Sequence, residues 1–481
     1  MAEQQGTTTT GVSHLVLIPW LARGHLIPML DIARLLADAG SIVTVVTTSA
    51  NASGLRGSDM CSSSGCLRYA IIPFPCPAIT DLPEGCENVD RLPSRQLAGK
   101  FYSAAKLLRP SLESVLRGLA PPPSAIIFGI GFPWLASLAR DALPVPRFVF
   151  HGFSSFTLLA SHNLHAHKTH ERAGSPTDTL ILPGLPHRVE IQRSRLPIFF
   201  DRASEIHSVY VEMRDGEVAA DGFVVNSFEE LEQGYAALLA MAAGKKVWSV
   251  GPVSLCNRES ADVASRGGRS FSVDVDRCVK WLDSRERGSV VYVSFGSMGR
   301  LDAEQTRELG LGLMASGWPF VWVIREGAPP PPPEVEKTME ESGLVIRGWA
   351  PQTILLAHSA VGGFLTHCGW NSVMEGVVAG VPMATWPLGA DQFLNEKLVV
   401  EVLRLGVEVR GRGASGELMV KREEVKRVVE ELMVRGPEGD QRRKRSKDFA
   451  DKARTAMEDR GASQRSLVEI IHDVANWRAY N

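Results

Sequence analysis

The sequence has no excess of either charge. Its 481 residues include 52 Lys and Arg against 54 Asp and Glu, which gives a formal net charge of -2. Proteins that bind nucleic acids usually carry a basic excess, and proteins that bind anionic lipids carry a basic cluster. We therefore expect no nucleic-acid partner, although backbone amides can still hold a small anion.

Paired cysteines and long apolar runs are also absent. The seven cysteines include no CxxC pair, which is typical of a reduced intracellular protein with free thiols. Residues 119–139 are uncharged but are interrupted by Pro121–Pro123, Pro133 and two glycines, so we expect no membrane-spanning helix. The first ten residues lack Lys, Arg and an apolar core, so we expect no signal peptide. A cytoplasmic monomer is predicted.

Short apolar runs alternate with amphipathic segments, a pattern typical of βαβ units and parallel sheets. Near the N-terminus, the predicted order is a strand at Leu15–Ile18, a helix at about Ile27–Ala39 and a strand at Val43–Thr47. In the second half, the same order is predicted for Val290–Val293, Ala303–Ala315 and Phe320–Ile324. Further strands are predicted at Leu344–Ile346, Gly363–Leu365 and Met383–Trp386, and a last amphipathic helix at about Ser466–Ala475. The fold class is therefore α/β with two halves, separated after Pro252 by a polar stretch that runs to about Ser270.

The first strand is not followed by a GxGxxG motif. Residues 19–25 read PWLARGH instead, which argues against a dinucleotide-dependent oxidoreductase.

Chemistry-bearing residues are densest in residues 349–392. There a predicted strand ends at Leu365 and a predicted helix begins near Asn371, so that free amides at the helix N-terminus form a potential anion site. Glu375 follows Asn371 by one helical turn and suits the paired hydroxyls of a ribose. Two alternatives stay open: Asn371 and Ser372 as helix N-caps, and Trp349 as a core residue.

The same residues resemble the nucleotide-sugar motif of plant secondary-product UDP-glycosyltransferases of family 1. The stretch WAPQ at 349–352, the run GGFLTHCGWNS at 362–372 and PLGADQ at 387–392 carry the likeness, together with Gly24-His25 and VSFGS at 293–297. The resemblance implies the GT-B fold, two Rossmann-like domains facing a cleft. It implies an acceptor domain over 1–252, a UDP-sugar domain over 253–460, and a last helix over 461–481 that returns to the first domain.

The resemblance also implies roles for individual residues, with UDP-glucose as co-substrate and no metal cofactor. Gln392 and Trp370 are the residues that usually accompany glucose in this family. By this likeness, Trp349 and Ala350 bind uracil and Gln352 and Glu375 the ribose, while His367, Asn371, Ser372 and Ser297 bind the diphosphate, and Trp370, Asp391 and Gln392 bind the sugar.

His25, predicted to lie in the loop after the first strand, matches the family's general base. A base must take the proton of the attacking acceptor hydroxyl, and imidazole suits this task. The family usually places an Asp, the partner of this histidine, four residues before a Pro-Trp pair; here that position is Gly129. Three interpretations follow: O-glucosylation of an acidic phenol by His25 alone, C-glucosylation of a phenolic ring, or binding of a UDP-sugar without catalysis.

The acceptor is predicted to be small and lipophilic, for instance a flavonoid-like phenol, because the candidate pocket residues are apolar. The alternative interpretation is that these residues are ordinary members of the hydrophobic core. They are Ile130, Phe132, Phe150, Phe199 and Phe200, together with Gly389, which leaves space beside the sugar.

Overall fold

The computed structural model describes residues 12–53, 66–257, 274–297, 299–325, 327–331, 333–411 and 419–480. The chain divides into two compact units, one of Met1–His151, Ser208–Val224 and Gln464–Asn481, the other of Gly152–His207 and Val225–Ser463. The polar stretch before Ser270 lies largely outside the described residues, and the domain bounds at 252 and 460 stay predictions. Within the described ranges, no helix combines the length and the hydrophobicity that a membrane crossing needs.

Strands and helices alternate along most of the chain. The strands are β1 (His14–Ile18), β2 (Ile42–Thr48), β3 (Cys66–Ile72), β4 (Ala125–Gly129), β5 (Arg147–His151), β6 (Thr179–Ile181), β7 (Glu190–Gln192), β8 (Gly222–Val225), β9 (Lys246–Ser249), β10 (Val290–Ser294), β11 (Phe320–Ile324), β12 (Gly343–Arg347), β13 (Val361–Thr366), β14 (Met383–Thr385) and β15 (Gly406–Glu408). The helices of the first half are α1 (Arg23–Asp38), α2 (Ser49–Ala52), α3 (Pro77–Thr80), α4 (Ala98–Lys106), α5 (Arg109–Gly118), α6 (Leu135–Ala142), α7 (Ser155–His167), α8 (His207–Ala219) and α9 (Tyr235–Ala243). Those of the second half are α10 (Val275–Asp283), α11 (Ala303–Ala315), α12 (Pro333–Ser342), α13 (Gln352–Ala357), α14 (Trp370–Ala379), α15 (Gln392–Lys397), α16 (Arg422–Met433), α17 (Pro437–Met457) and α18 (Ala462–Tyr480).

The first sheet has seven strands in the order β3-β2-β1-β4-β5-β8-β9. Its strands from β3 to β5 pair in parallel, and Ile18 of β1 aligns with Phe128 of β4. Gly129, the last residue of β4, aligns with Phe150 of β5. The segments that follow β1, β4 and β5 therefore meet at one edge of the sheet, the carboxyl edge at which α/β folds bind ligands.

The second sheet has six parallel strands in the order β12-β11-β10-β13-β14-β15. Its central strand β10 is completely buried, as expected for a parallel sheet that helices cover on both faces. Leu309 and Leu313 of α11 and Val425 and Leu432 of α16 pack in the same core. Thr366 aligns with Ser294 and Thr385, so that β10, β13 and β14 end level with one another.

The structure confirms the α/β class, and the helix predicted at Ala303–Ala315 has the predicted bounds. One element differs in a way that matters for the site. Helix α1 begins at Arg23, four residues earlier than predicted, so His25 lies in its first turn and the prediction of a loop position is wrong. The prediction of free thiols is wrong at Cys66, which is disulfide-bonded.

Candidate active site

The junction between β13 and α14 forms the centre of the candidate donor site. The N-cap of α14 is Gly369, which has no side chain to cap the helix. Asn371 and Ser372 therefore lie inside the first turn, and their interpretation as N-caps is wrong. No Lys or Arg occurs between residues 361 and 379. An anion here would be held by backbone amides, by the positive end of the helix and by neutral side chains.

The imidazole of His367 lies between two backbone segments. A Cβ on either Gly296 or Gly369 would collide with this ring, so both glycines are required by close approach. His367 is 8 % exposed, and burial lowers its pKa to about 4, which keeps it neutral. Its Nδ1 has no hydrogen-bond partner among the described residues. A buried polar atom without a partner costs free energy, and a hydrogen bond from a ligand or from water would remove that cost.

A second group of donor residues is held together by Gln352, the first residue of α13. Its side-chain nitrogen Nε2 donates to Oγ of Ser372 at 3.1 Å and to Oε2 of Glu375 at 2.7 Å. Trp349 is half-buried, and Ala350, whose carbonyl accepts from the Gln352 amide at 2.9 Å, is buried. The structure thus brings together the residues that the resemblance assigns to uracil and ribose.

The three residues predicted to contact the sugar already have protein partners. The indole N–H of Trp370 donates to the carbonyl of Asn226 at 2.8 Å, so this group already has a partner within the protein. Gln392 accepts from the Leu388 amide at 2.7 Å, which leaves its NH₂ group to donate. Burial raises the pKa of Asp391 to about 6.

Asn395 is a further residue of this site that sequence reasoning missed. Its side-chain NH₂ donates to Oδ2 of Asp391 at 2.6 Å and to the carbonyl of Cys368 at 2.9 Å. Cys368 has a positive φ of 64°, an unusual conformation for a residue other than glycine. Asn395 therefore fixes the strained turn after β13. The sequence could have indicated this role, because Asn395 follows Asp391 by one helical turn.

Two further predicted residues lie close to this junction. Ser297 follows β10, at the same edge of the sheet as His367. Gly389 lies in the turn before α15, where its carbonyl accepts from the Gln392 amide at 3.2 Å.

The candidate base lies in the first unit, at the carboxyl edge of the first sheet. His25 is half-buried in the first turn of α1, and the ring of Phe150 stands edge-on to it with centroids 6.2 Å apart. Burial lowers the pKa of His25 to about 4, and the negative charge of Asp90 opposes this shift. The imidazole is therefore neutral at physiological pH and able to accept a proton.

The observed backbone leaves no room at position 129 for the carboxylate that the resemblance leads one to expect. A Cβ at this position would lie 2.5 Å from the backbone nitrogen of Trp20 and 2.8 Å from its Cβ. The backbone after β1 therefore occupies the space of a side chain at position 129.

The candidate acceptor residues differ in their exposure. Phe132 and Phe150 are 1 % and 0 % exposed, and Phe132 packs edge-on against Trp20 with centroids 4.9 Å apart. Ile130 and Phe200 are also buried, whereas Phe199 is half-buried beside Phe200. The buried side chains have the core positions that the alternative interpretation gave them, and their contact with an acceptor stays a prediction.

Comparison with known proteins agrees with this geometry. A family model described as UDP-glucoronosyl and UDP-glucosyl transferase matches residues 254–420. UDP-glycosyltransferase 73D1 of Arabidopsis thaliana is 43% identical over 489 residues, which cover 96% of each chain. The crystal structure of Glycyrrhiza uralensis UGT73P12, complexed with glycyrrhetinic acid 3-O-monoglucuronide, superposes with a TM-score of 0.88 at 37% identity, over 98% of this chain and 97% of that one. The structure of Phytolacca americana UGT2, complexed with UDP-2fluoro-glucose and pterostilbene, has a TM-score of 0.78 at 28% identity, over 96% of this chain and 100% of that one.

Two parallel sheets, together with the likeness to Glycyrrhiza uralensis UGT73P12 over nearly the whole chain, identify the fold as that of a GT-B glycosyltransferase. The chain belongs to the family-1 UDP-glycosyltransferases of plants, in the group of the 73-series enzymes, and is a hexosyltransferase that acts on small molecules.

Proposed function

We propose that this enzyme transfers glucose from UDP-glucose to a phenolic hydroxyl of a small lipophilic acceptor, with inversion and with His25 as general base. The observation that carries the proposal is the cluster of Gln352, Ser372 and Glu375 beside the uncapped start of α14. This cluster offers a carboxylate for ribose hydroxyls and neutral donors for a diphosphate. It supports a role in binding for Trp349, Ala350, His367 and Asn371, which lie close to it in the sequence. It also supports one for Ser297, which follows β10 at the same edge of the sheet as His367.

Glucose is the proposed sugar because Gln392 and Trp370 match the family pattern for it. The Gln392 NH₂ group and the buried Asp391 are the groups offered to sugar hydroxyls. Phytolacca americana UGT2, which has been crystallised with UDP-2fluoro-glucose, gives further support. A sugar that lacks one of these hydroxyls would leave a buried polar group unpaired, which disfavours it strongly.

In the proposed reaction the acceptor oxygen attacks the anomeric carbon in line with the departing UDP. The new carbon–oxygen bond forms as the bond to the UDP oxygen breaks, and UDP leaves with the electron pair. The acceptor proton passes to the His25 imidazole. A base whose pKa is about 4 is neutral but weak at pH 7, which suits a phenol better than an aliphatic alcohol.

The acceptor class is supported by the ligands of relatives. Pterostilbene is bound by Phytolacca americana UGT2, and glycyrrhetinic acid 3-O-monoglucuronide by Glycyrrhiza uralensis UGT73P12. Both contain extended hydrocarbon ring systems, although the second also carries a polar sugar acid, and the candidate pocket residues of this chain are apolar. A cytoplasmic, monomeric enzyme is proposed, with the acceptor bound by residues 1–252 and the donor by residues 253–460.

C-glucosylation is the second candidate, and Gly129 is the observation in its favour. No carboxylate fits at position 129 without a shift of the Trp20 backbone, and C-glucosylation needs no O–H deprotonation in the transfer step. The phenolate carbon forms the new bond as UDP leaves, and the ring proton is then lost as aromaticity is restored. Mass spectrometry of products from a phenol panel, before and after acid hydrolysis, separates the two outcomes. Acid-labile glucosides are expected, and acid-stable products would identify C-glucosides.

The catalytic role is tested with His25→Ala and with His472→Ala as the matched control. The His472 side chain is 72% exposed on α18. We expect His25→Ala to lose at least about 100-fold in kcat while UDP binding by calorimetry stays unchanged. His472→Ala should retain normal turnover. Full activity in His25→Ala would reject the base assignment, and UDP binding without turnover of any acceptor by the unmodified enzyme would favour a non-catalytic binder.

A further inference from the structure

A buried carboxylate lies at the start of the helix that carries His25. Asp90, in the 3-10 turn Val89–Arg91, is 7 % exposed. Its Oδ2 accepts a hydrogen bond from the backbone amide of Arg23, the first residue of α1, at 2.6 Å. The N-cap residue Ala22 offers no side-chain acceptor to this helix. Asp90 therefore caps α1 from a distant part of the chain. The amide that it caps, that of Arg23, lies two residues before His25.

The segment that carries Asp90 is attached firmly to the segment that carries His25. The amide of Val89 donates to the carbonyl of Leu21 at 2.9 Å. Oδ1 of Asn88 accepts from the amide of Asp90 at 2.9 Å, and Nδ2 of Asn88 donates to Oδ1 of Asn51 at 2.7 Å. These bonds hold the Asp90 carboxylate at a fixed place beside the first turn of α1.

The charges around His25 favour a carboxylate at this place. During transfer His25 becomes an imidazolium, and both its burial and the positive end of α1 oppose that charge. Asp90 acts in the opposite direction, since it raises the pKa of His25 against the effect of burial. A second titratable group that interacts with His25 is His151 of β5, whose burial lowers its pKa to about 3 and keeps it neutral. Arg23, two residues before His25 in the same turn of α1, carries a further positive charge.

We propose that Asp90 is the positioning residue of this enzyme, whose carboxylate gives His25 the electrostatic support that no side chain at position 129 can provide. The carboxylate stabilises the imidazolium as the acceptor proton arrives, and it holds the start of α1 so that the ring keeps its orientation. This inference rests on the proposed role of His25 as general base. In this proposal the supporting carboxylate lies 65 residues after His25 in the sequence, in the turn Val89–Arg91. It does not lie at position 129, the end of β4.

The test removes the charge of Asp90 while keeping its hydrogen bond. In Asp90→Asn, the amide oxygen can still accept from the Arg23 amide. We expect kcat/KM with a phenolic acceptor to fall about tenfold, because the imidazolium that forms during transfer loses the stabilisation of the neighbouring negative charge. We also expect the acidic limb of the pH–rate profile to move to lower pH, because the His25 pKa falls when the neighbouring negative charge is lost. A purely structural role for Asp90 would lower the rate without moving this limb.

Glu87→Gln is the matched control, since it removes one charge from the same segment. Its Oε2 accepts from the Ala50 amide, away from α1. We expect both its rate and its pH profile to match those of the unmodified enzyme. UDP affinity, measured by calorimetry, should be unchanged in both variants.

Failure of this inference can be distinguished from failure of the proposed function. If His25→Ala is inactive but Asp90→Asn keeps its rate and its pH limb, the inference about Asp90 is wrong and His25 remains the base. If His25→Ala keeps full activity, the proposed function itself is wrong. Asp90→Ser, which also keeps a side-chain acceptor, serves if Asp90→Asn does not fold. If neither neutral variant folds, Asp90 is a residue of the fold and the inference is overturned.

Discussion

At the scale of single residues, Gly129 and Gly131 are both required by Trp20, but for different reasons. A Cβ at position 129 would collide with the backbone nitrogen and Cβ of Trp20, whereas one at position 131 would collide with the indole ring. Overpacking of this kind typically costs about 1–3 kcal/mol. We expect both Gly129→Ala and Gly131→Ala to lower the free energy of unfolding by about this amount, as measured by urea denaturation.

Adding Trp20→Leu to each glycine variant distinguishes the two kinds of collision. It removes the indole ring and should relieve Gly131→Ala, but it leaves the backbone that obstructs position 129. An equal rescue of both glycine variants would contradict this interpretation. The same obstruction means that Gly129→Asp should destabilise the protein and should not bring a carboxylate close to His25.

The contrast between His25 and Asp90 shows how much of the site the sequence could predict. His25, the donor residues and the parallel strands are recognised from local patterns and from a motif with fixed spacing. Asp90, Asn226 and Asn395 were missed as partners because each acts through a contact between segments far apart in the chain or through a turn with unusual geometry. Hydrophobic periodicity predicts which face of an element is buried, but not which polar group of another element will meet it.

At the scale of secondary-structure elements, the buried start of α7 depends on Glu232. Its carboxylate accepts from the amides of Ser155 at 3.0 Å and Phe156 at 2.7 Å, and also from the hydroxyl of Ser227. Ser154, the N-cap, accepts from the third amide of the helix, that of Thr157. A helix end buried in this way needs such partners, because its first amides have none within the helix.

We expect Glu232→Gln to lower the free energy of unfolding by about 1–3 kcal/mol, because its NH₂ group cannot accept a hydrogen bond and would face the amide of Ser155 or of Phe156. The measurement is a urea titration followed by circular dichroism. Glu229→Gln is the matched control: it lies on the same segment, but its carboxylate is exposed and accepts from Gly234 at the surface. An equal loss in the two variants would show that the buried cap contributes nothing of its own.

At the scale of the whole molecule, two sets of buried groups make stability depend on pH in opposite directions. Burial lowers the pKa of His25 and His367 to about 4 and that of His151 to about 3, so that below pH 6.5 the unfolded state binds protons that the folded state does not. Burial raises the pKa of Glu232 to about 7 and that of Glu396 to about 8, so that above pH 4.5 the folded state keeps protons that the unfolded state has lost.

The two effects offset each other between about pH 4.5 and 6.5, where stability should be greatest. Towards pH 3 the histidines dominate and stability falls; towards pH 8 the buried glutamates must ionise and stability falls again. The melting temperature across pH 3–9 tests this profile. Glu396→Gln should flatten the alkaline arm because the amide cannot ionise, whereas Glu401→Gln, at an exposed position five residues later, should leave that arm unchanged. A melting temperature that rises steadily from pH 6 to 8 would show that Glu232 and Glu396 are already ionised in the folded protein, and that their hydrogen bonds outweigh the cost of burying their charge.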